Sequence, residues 1–133
     1  MHRILVADDE AAILRVLAMW LTRNGFEVFE ARDGVEALAI IDSEPLDLII
    51  SDMNMPRLDG LELVRLLRET RHAQTPFILL SARSDRARLS EMTSRFDVRL
   101  YPKPFVPSRL VADIQALFAA AADPNECPVG RSV

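Results

Sequence analysis

A chain of 133 residues, half of them hydrophobic, with a net charge of −4, suits one compact domain with its own core. The acidic balance argues against a nucleic-acid surface, and the single cysteine, Cys127, excludes an intrachain disulfide or a cysteine-built metal site. No apolar run approaches the ~20 residues of a membrane span, and the stretch opening the chain is too short for a signal peptide, so a reducing cytoplasm is expected.

In chain order, apolar runs alternate with helix-period segments five times. Ile4 to Ala7 reads as a buried strand running into Asp8 and Asp9. Glu10 to Asn24 reads as a helix stopped by Gly25. Glu27 to Ala31 is a half-polar strand, and Asp33 to Ser43 a helix closed by Pro45. Leu46 to Ser51 is apolar nearly throughout, which predicts a central strand, and it delivers Asp52 to its end. A loop marked by Pro56 and Gly60 follows, then a helix from Gly60 to His72 capped by Asp59. Phe77 to Leu80 is a fourth strand ending at Ser81, and Arg86 to Arg95 a weaker helix. Val98 to Tyr101 is a short fifth strand leading to Lys103, and Ser108 to Ala121 the last helix. This pattern predicts an α/β fold: (βα)5, a doubly wound five-stranded parallel sheet with helices on both faces. Residues 1–122 form the expected domain. The segment 123–133, with two prolines and a glycine, reads as a flexible tail or the start of a linker.

The strand ends carry the chemistry. In an open α/β sheet, ligands bind beyond the C-terminal ends of the strands. Here those ends bring Asp8, Asp9, Asp52, Ser81 and Lys103. Three carboxylates close together repel one another, and a hard divalent cation relieves the repulsion; Mg²⁺ suits a shallow oxygen site. Lys103 adds a positive charge and Ser81 a hydroxyl. The set fits phosphoryl transfer to a carboxylate, with an aspartate as nucleophile.

On these residues, with Met55-Pro56, Asp59-Gly60, Ser81-Ala82 and Lys103-Pro104-Phe105, the chain resembles the receiver domains of bacterial two-component response regulators over roughly residues 2 to 120. The resemblance implies a flavodoxin-like fold with strand order 2-1-3-4-5. It implies phosphorylation of Asp52 by a sensor histidine kinase or histidine phosphotransferase. Mg²⁺ would be held by Asp9, Asp52 and the backbone carbonyl of Asn54, with Asp8 acting mainly through water. Ser81 and Lys103 would engage the phosphoryl group, and the Lys103–Pro104 bond would be cis. Such a module is a phosphorylation-dependent switch that assists its own phosphorylation and dephosphorylation rather than an enzyme with turnover.

The chain departs from the family pattern at its readout. The aromatic position three residues before the lysine is Leu100, and Tyr101 stands one residue later, pointing to the opposite face. Leu100 either alters the coupling between Asp52 and the distal surface or simply fills the same pocket. Phe96 and Asp97 replace the usual small pair before the fifth strand. Arg83, two residues after Ser81, is placed to tune the lifetime of a phosphorylated Asp52, or is a solvated arginine.

Partner surfaces are legible as stripes. On the first helix, Leu14, Leu17, Ala18 and Leu21 share the core face, while Ile13, Val16 and Trp20 form a second stripe suited to docking a kinase or phosphotransferase. Asp97, Arg99, Arg109 and Asp113 supply charges of both signs near the fifth strand and last helix, so the surface of fourth helix, fifth strand and last helix is open to a two-fold dimer or to plain solvation. A downstream protein or output domain is implied, with no direct nucleic-acid contact and no membrane. Two other readings stand beside the switch. One is a Mg²⁺-dependent aspartyl-phosphate phosphatase or hydrolase, which would want an acid where Asn54 stands and a cap domain. The other is an interaction module that is never phosphorylated.

Overall fold

The structure, a computed structural model, describes residues 2–70, 75–82 and 98–122. Its elements are β1 (Arg3–Ala7), α1 (Ala11–Arg23), β2 (Glu27–Ala31), α2 (Gly34–Ser43), β3 (Leu48–Asp52), α3 (Gly60–Leu67), β4 (Phe77–Ser81), β5 (Arg99–Pro102) and α4 (Pro107–Ala122). All strand pairs are parallel and the order is β2-β1-β3-β4-β5, as expected. The expected helix Arg86–Arg95, with Arg83, Phe96, Asp97 and the tail 123–133, lies outside the described residues.

The sheet is coated on both faces because its strands are apolar on both faces. Odd-numbered positions of β1 and β3, Leu5, Ala7 and Ile49, with Met53 just past the end of β3, pack with Ala37 and Ile41 of α2 and Leu63, Val64 and Leu67 of α3. Even-numbered positions, Ile4, Val6, Leu48 and Ile50, pack with Leu14, Leu17 and Leu21 of α1 and Leu110, Ile114 and Phe118 of α4. Period-two alternation in the strands thus meets period-3.6 stripes in the helices. Burying one such aliphatic side chain is worth about 1.5–3 kcal/mol. The ion pairs from Arg3 to Glu27 and Glu44, at 3.3 and 3.2 Å and half-exposed, fall in the range of about 0–1 kcal/mol each. Packing, not surface charge, therefore holds the β2 edge.

Local signals set the ends. Asp33 caps α2 by accepting from the Glu36 N–H at 2.8 Å. Asp59 and Glu62 form a reciprocal capping box on α3. Gly25, at φ +91°, ends α1 where a stop is expected. Pro107 occupies the first position of α4, where a missing N–H costs nothing. Two boundaries differ from the sequence reading by more than one residue. The third strand begins at Leu48 rather than Leu46, because the Asp47 carboxylate turns out to accept the Arg3 N–H at 2.8 Å. The third helix ends at Leu67 rather than His72. Glu69 and Thr70 N–H close back three residues, and the Thr70 hydroxyl takes the Leu67 carbonyl at 2.7 Å.

Gly60 is the tightest joint between loop and sheet. Its N–H donates to the Met53 carbonyl at 2.9 Å, and an added Cβ would stand 2.5 Å from the Asp52 carbonyl oxygen and 2.6 Å from Leu79 Cδ1. Gly60→Ala gains helix propensity but forces α3 away from β3. The expected net loss is about 1–3 kcal/mol of unfolding free energy. Urea denaturation measures it, and a variant as stable as the parent contradicts the close approach.

Candidate functional site

Strand register gathers the site. β3 lies between β1 and β4, with Ala7 opposite Ser51 and Asp52 opposite Leu80, and β4 pairs with β5 so that Ser81 lies opposite Pro102. The ladder runs one residue further at each end: Asp8 N–H to Ala31 O (3.0 Å), Met53 N–H to Leu80 O (3.0 Å), Lys103 N–H to Ser81 O (2.9 Å). Asp8, Asp52 and Lys103 therefore emerge side by side. They also share parity with Val6, Ile50 and Tyr101, which places them on the α1/α4 side of the sheet. Ser81 has the parity of Leu79, which packs on the α2/α3 side.

Distances bear this out. Lys103 Nζ lies 2.7 Å from Asp52 Oδ1, which also accepts the Met53 N–H at 2.9 Å. One oxygen each from Asp8, Asp9 and Asp52 falls within 4.8 Å of the others. Asp8 is fully buried. Its Oδ1 accepts the Glu10 N–H at 2.9 Å, while its Oδ2 is, among the described residues, the buried side-chain oxygen with no partner. Asp9 is exposed and completes the rim. The Lys103–Pro104 bond is cis.

Burial dominates the electrostatics. It pushes the Asp8 carboxyl from an ordinary 3.8 up to about 6, opposed by the Glu10 amide and reinforced by the charge of Asp52. It pushes Asp52 up as well, and the Lys103 hydrogen bond only partly offsets it. Burial pulls the Lys103 ammonium down, but Asp52, with Asp8 and Glu10 behind it, outweighs burial and the net direction is up. An orphaned buried carboxylate oxygen beside two more carboxylates is a donor set that fits a hard divalent cation.

The remaining expected residues are distributed around this centre. Asn54, two residues past Asp52, is exposed in the β3–α3 loop. Ser81 is buried at the end of β4. Leu100 packs on the α2/α3 cluster and Tyr101 on the α1/α4 cluster, so the two do point to opposite faces. The Tyr101 hydroxyl donates to Asp113 Oδ2 at 2.8 Å, and its ring meets Phe105 edge-on at 6.4 Å. Of the charges weighed for a two-fold dimer, Arg99, Arg109 and Asp113 are exposed. A groove of about 450 Å³ is lined by Ile13 and Val16 of α1 and by Pro104, Phe105 and Pro107, with Lys103 and Glu10 also in its lining. Trp20 lies one turn beyond Val16, half-buried against the α1/α4 core. The Met53 and Glu10 amides, which orient Asp52 and Asp8, were not legible in side-chain identity. Phe105 was legible as part of a motif but not as a groove wall.

The folded state holds the Asp8 proton more tightly than the unfolded chain. Stability from this group is thus greatest below pH 4, falls as pH rises towards about 6, and stays low above that. A carboxyl held at about 6 instead of 3.8 corresponds to roughly 3 kcal/mol between the two protonation states. Without divalent cation at pH 7.5, Asp8→Asn is expected to raise the unfolding free energy by about 1–3 kcal/mol. The gain should shrink towards pH 4. Urea titrations across that range test it, and a pH-independent effect contradicts it.

The response regulator receiver domain family matches residues 4–115. Response regulator MprA of Mycobacterium sp. (strain KMS) is 42% identical over 129 residues, covering 95% of this chain and 54% of the relative. MprA of Mycobacterium avium (strain 104) is 44% identical over 118 residues, 86% of this chain and 50% of the relative. The chain thus spans about half the length of these curated relatives. The receiver domain of Francisella response regulator 1452 superposes with a TM-score of 0.81 at 31% identity, covering 91% of this chain and 99% of that one. Chemotaxis protein CheY4 of Vibrio cholerae superposes with a TM-score of 0.79 at 31% identity, covering 87% and 98%. The chain belongs to the response regulator receiver domain family, the signalling regulators of two-component systems, which implies phosphorylation-dependent signalling and a histidine kinase partner rather than classical enzyme turnover.

Proposed function

We propose that Asp52 is the phosphoacceptor, taking a phosphoryl group from a phosphohistidine of a sensor kinase or phosphotransferase. The observation that carries this reading is the contact of Asp52 Oδ1 with Lys103 Nζ at 2.7 Å, at the end of a central strand, inside the three-carboxylate cluster. Lys103 and the Met53 amide engage Oδ1 and orient Oδ2 towards the incoming phosphorus. The new P–O bond forms as the P–N bond breaks, and the donor imidazole keeps the electron pair and takes up a proton. Asp8, Asp9, Asp52 and the Asn54 carbonyl are the candidate holders of Mg²⁺, which when bound neutralises charge on the transferring oxygens. Ser81 and Lys103 then engage the phosphoryl oxygens, and Leu100, Tyr101 and Arg83 are the candidate readout and lifetime residues.

The groove gives the donor a seat. Ile13, Val16, Phe105 and Pro107 give it apolar walls, and its lining includes Lys103, the partner of Asp52. An amphipathic helix lying there sets its histidine beside the acceptor. Trp20 extends the same stripe beyond the groove. Arg99, Arg109 and Asp113 supply an exposed charged face for a second copy of the chain, and an output domain or a separate protein partner is the output.

Incubation with Mg²⁺ and acetyl phosphate, followed by intact mass, is expected to show addition of one phosphoryl group that disappears in Asp52→Asn. Retention of that gain in Asp52→Asn rejects the acceptor assignment, and turnover of a phosphomonoester points instead to a hydrolase. For the groove, Val16→Asp is expected to slow transfer from the cognate phosphohistidine donor by about tenfold while leaving acetyl phosphate labelling unchanged. Equal slowing with both donors removes the docking role.

A further inference from the structure

Among the described residues, Arg57 is the one non-glycine position with a positive φ, +69°, a region that L side chains rarely adopt. It is the middle of a three-residue turn closed by a hydrogen bond from the Leu58 N–H to the Pro56 carbonyl at 2.7 Å. With that φ the turn is the strained γ form. Such strain persists only where the surroundings over-determine the backbone. Here the Arg57 guanidinium donates to Asp33 Oδ2 at 2.5 Å. Asp33 is buried, and its other oxygen already caps α2 through the Glu36 N–H. Next to it, Gly34 lets the first turn of α2 approach Leu58 so closely that an added Cβ would overlap the Leu58 carbonyl oxygen. The Leu58 side chain packs on the α2/α3 core. The turn is thus seated on the end of a helix whose own position is set by the sheet.

The loop that carries this turn begins at Asp52 and returns at Gly60. Both ends are tied, by the Met53 N–H to Leu80 and the Gly60 N–H to Met53. Asn54 lies between them. With its ends fixed, the path of the loop depends on the Pro56–Leu58 turn, and the turn is held by Arg57 on Asp33. We propose that Arg57 is a positioning residue for the cation site: its ion pair with Asp33 props the strained turn so that the Asn54 carbonyl is presented to the Asp8, Asp9 and Asp52 carboxylates. The inference rests on the reading of the Asn54 carbonyl as a cation ligand. It assigns a role to two residues 24 positions apart, neither of which touches the reacting atoms.

Calorimetric titration of the whole chain with Mg²⁺ tests it, using the parent, Arg57→Gly, Asp33→Asn and the double variant. Glycine suits the positive φ while removing the prop. Asparagine keeps the α2 cap while removing the charge. Each single change is expected to weaken Mg²⁺ binding by about tenfold, with melting temperature little altered. The double variant should bind no more weakly than either single, because both remove one interaction. Arg57→Lys, which keeps the charge but not the fork, should fall between. Unchanged affinity in both singles, with the parent binding Mg²⁺, overturns the prop and leaves the cation site standing. Losses that add in the double variant, or that track a fall in melting temperature, also overturn it. A parent that binds no Mg²⁺ overturns the cation site, and the prop with it.

Discussion

The structure turns on a charge imbalance fixed at one edge of the sheet. Asp8, Asp9 and Asp52 bring three carboxylates within 4.8 Å of one another, and among the described residues Lys103 is the cation in contact with them. Fully ionised, three negative charges and one positive leave this cluster at −2. The imbalance cannot relax by separation, because β1 and β3 are paired in register and packed on both faces by aliphatic side chains. A handful of such burials at about 1.5–3 kcal/mol each outweighs the repulsion and desolvation that the carboxylates bear. The core therefore maintains an electrostatic penalty at a defined place. Asp8 records it most clearly, fully buried with one oxygen unpartnered and a carboxyl pushed up to about 6. A divalent cation would carry the charge that balances the cluster.

Because side chains alternate across a strand, the sheet sorts this chemistry by face. Asp8, Asp52 and Lys103 belong to the α1/α4 side, and so does Tyr101, whose hydroxyl reaches Asp113 of α4 and whose ring meets Phe105. Leu100 belongs to the α2/α3 side and has no polar tip. Lys103 and Phe105 flank the cis Lys103–Pro104 bond and its proline, so the lysine of the acidic centre, a wall of the groove and the tyrosine that reaches Asp113 lie on one short stretch of chain. Tyr101, not the residue at the usual aromatic position, thus makes the polar contact between β5 and α4.

Much of this is legible in the sequence. Among the described residues, the strand and helix alternation, the cap at Asp59 and the stop at Gly25 are local signals, and each stands where it is expected. The acidic cluster was readable because strand ends advertise themselves as apolar runs terminating in charge. Contacts made by backbone amides were not, since the Met53 and Glu10 N–H groups carry no side-chain signature. Nor was the Arg57–Asp33 pair, whose partners lie far apart in sequence and meet only through the seating of a loop on α2. The third helix was read too long because apolar spacing does not reveal that a threonine hydroxyl will compete for the Leu67 carbonyl. The docking stripe was half readable: helical spacing groups Ile13, Val16 and Trp20, but the opposing wall of Phe105 and Pro107 comes from the other end of the sequence.

The division of labour between core and site also explains where this fold tolerates strain. Gly60 must admit the Asp52 carbonyl at close range, and Arg57 holds a backbone conformation that most residues avoid. Both lie in or beside the one loop that leaves the acidic edge at Asp52, while the strands behind them are regular and fully buried. A loop free to relax would move away from three crowded carboxylates and take Asn54, the proposed cation ligand, with it. Tying it at Met53, at Gly60 and through Arg57 to the end of α2 opposes that relaxation. The site is kept ready by the same constraints that keep it unfavourable, and the free energy held there is available to whatever charge arrives to neutralise it.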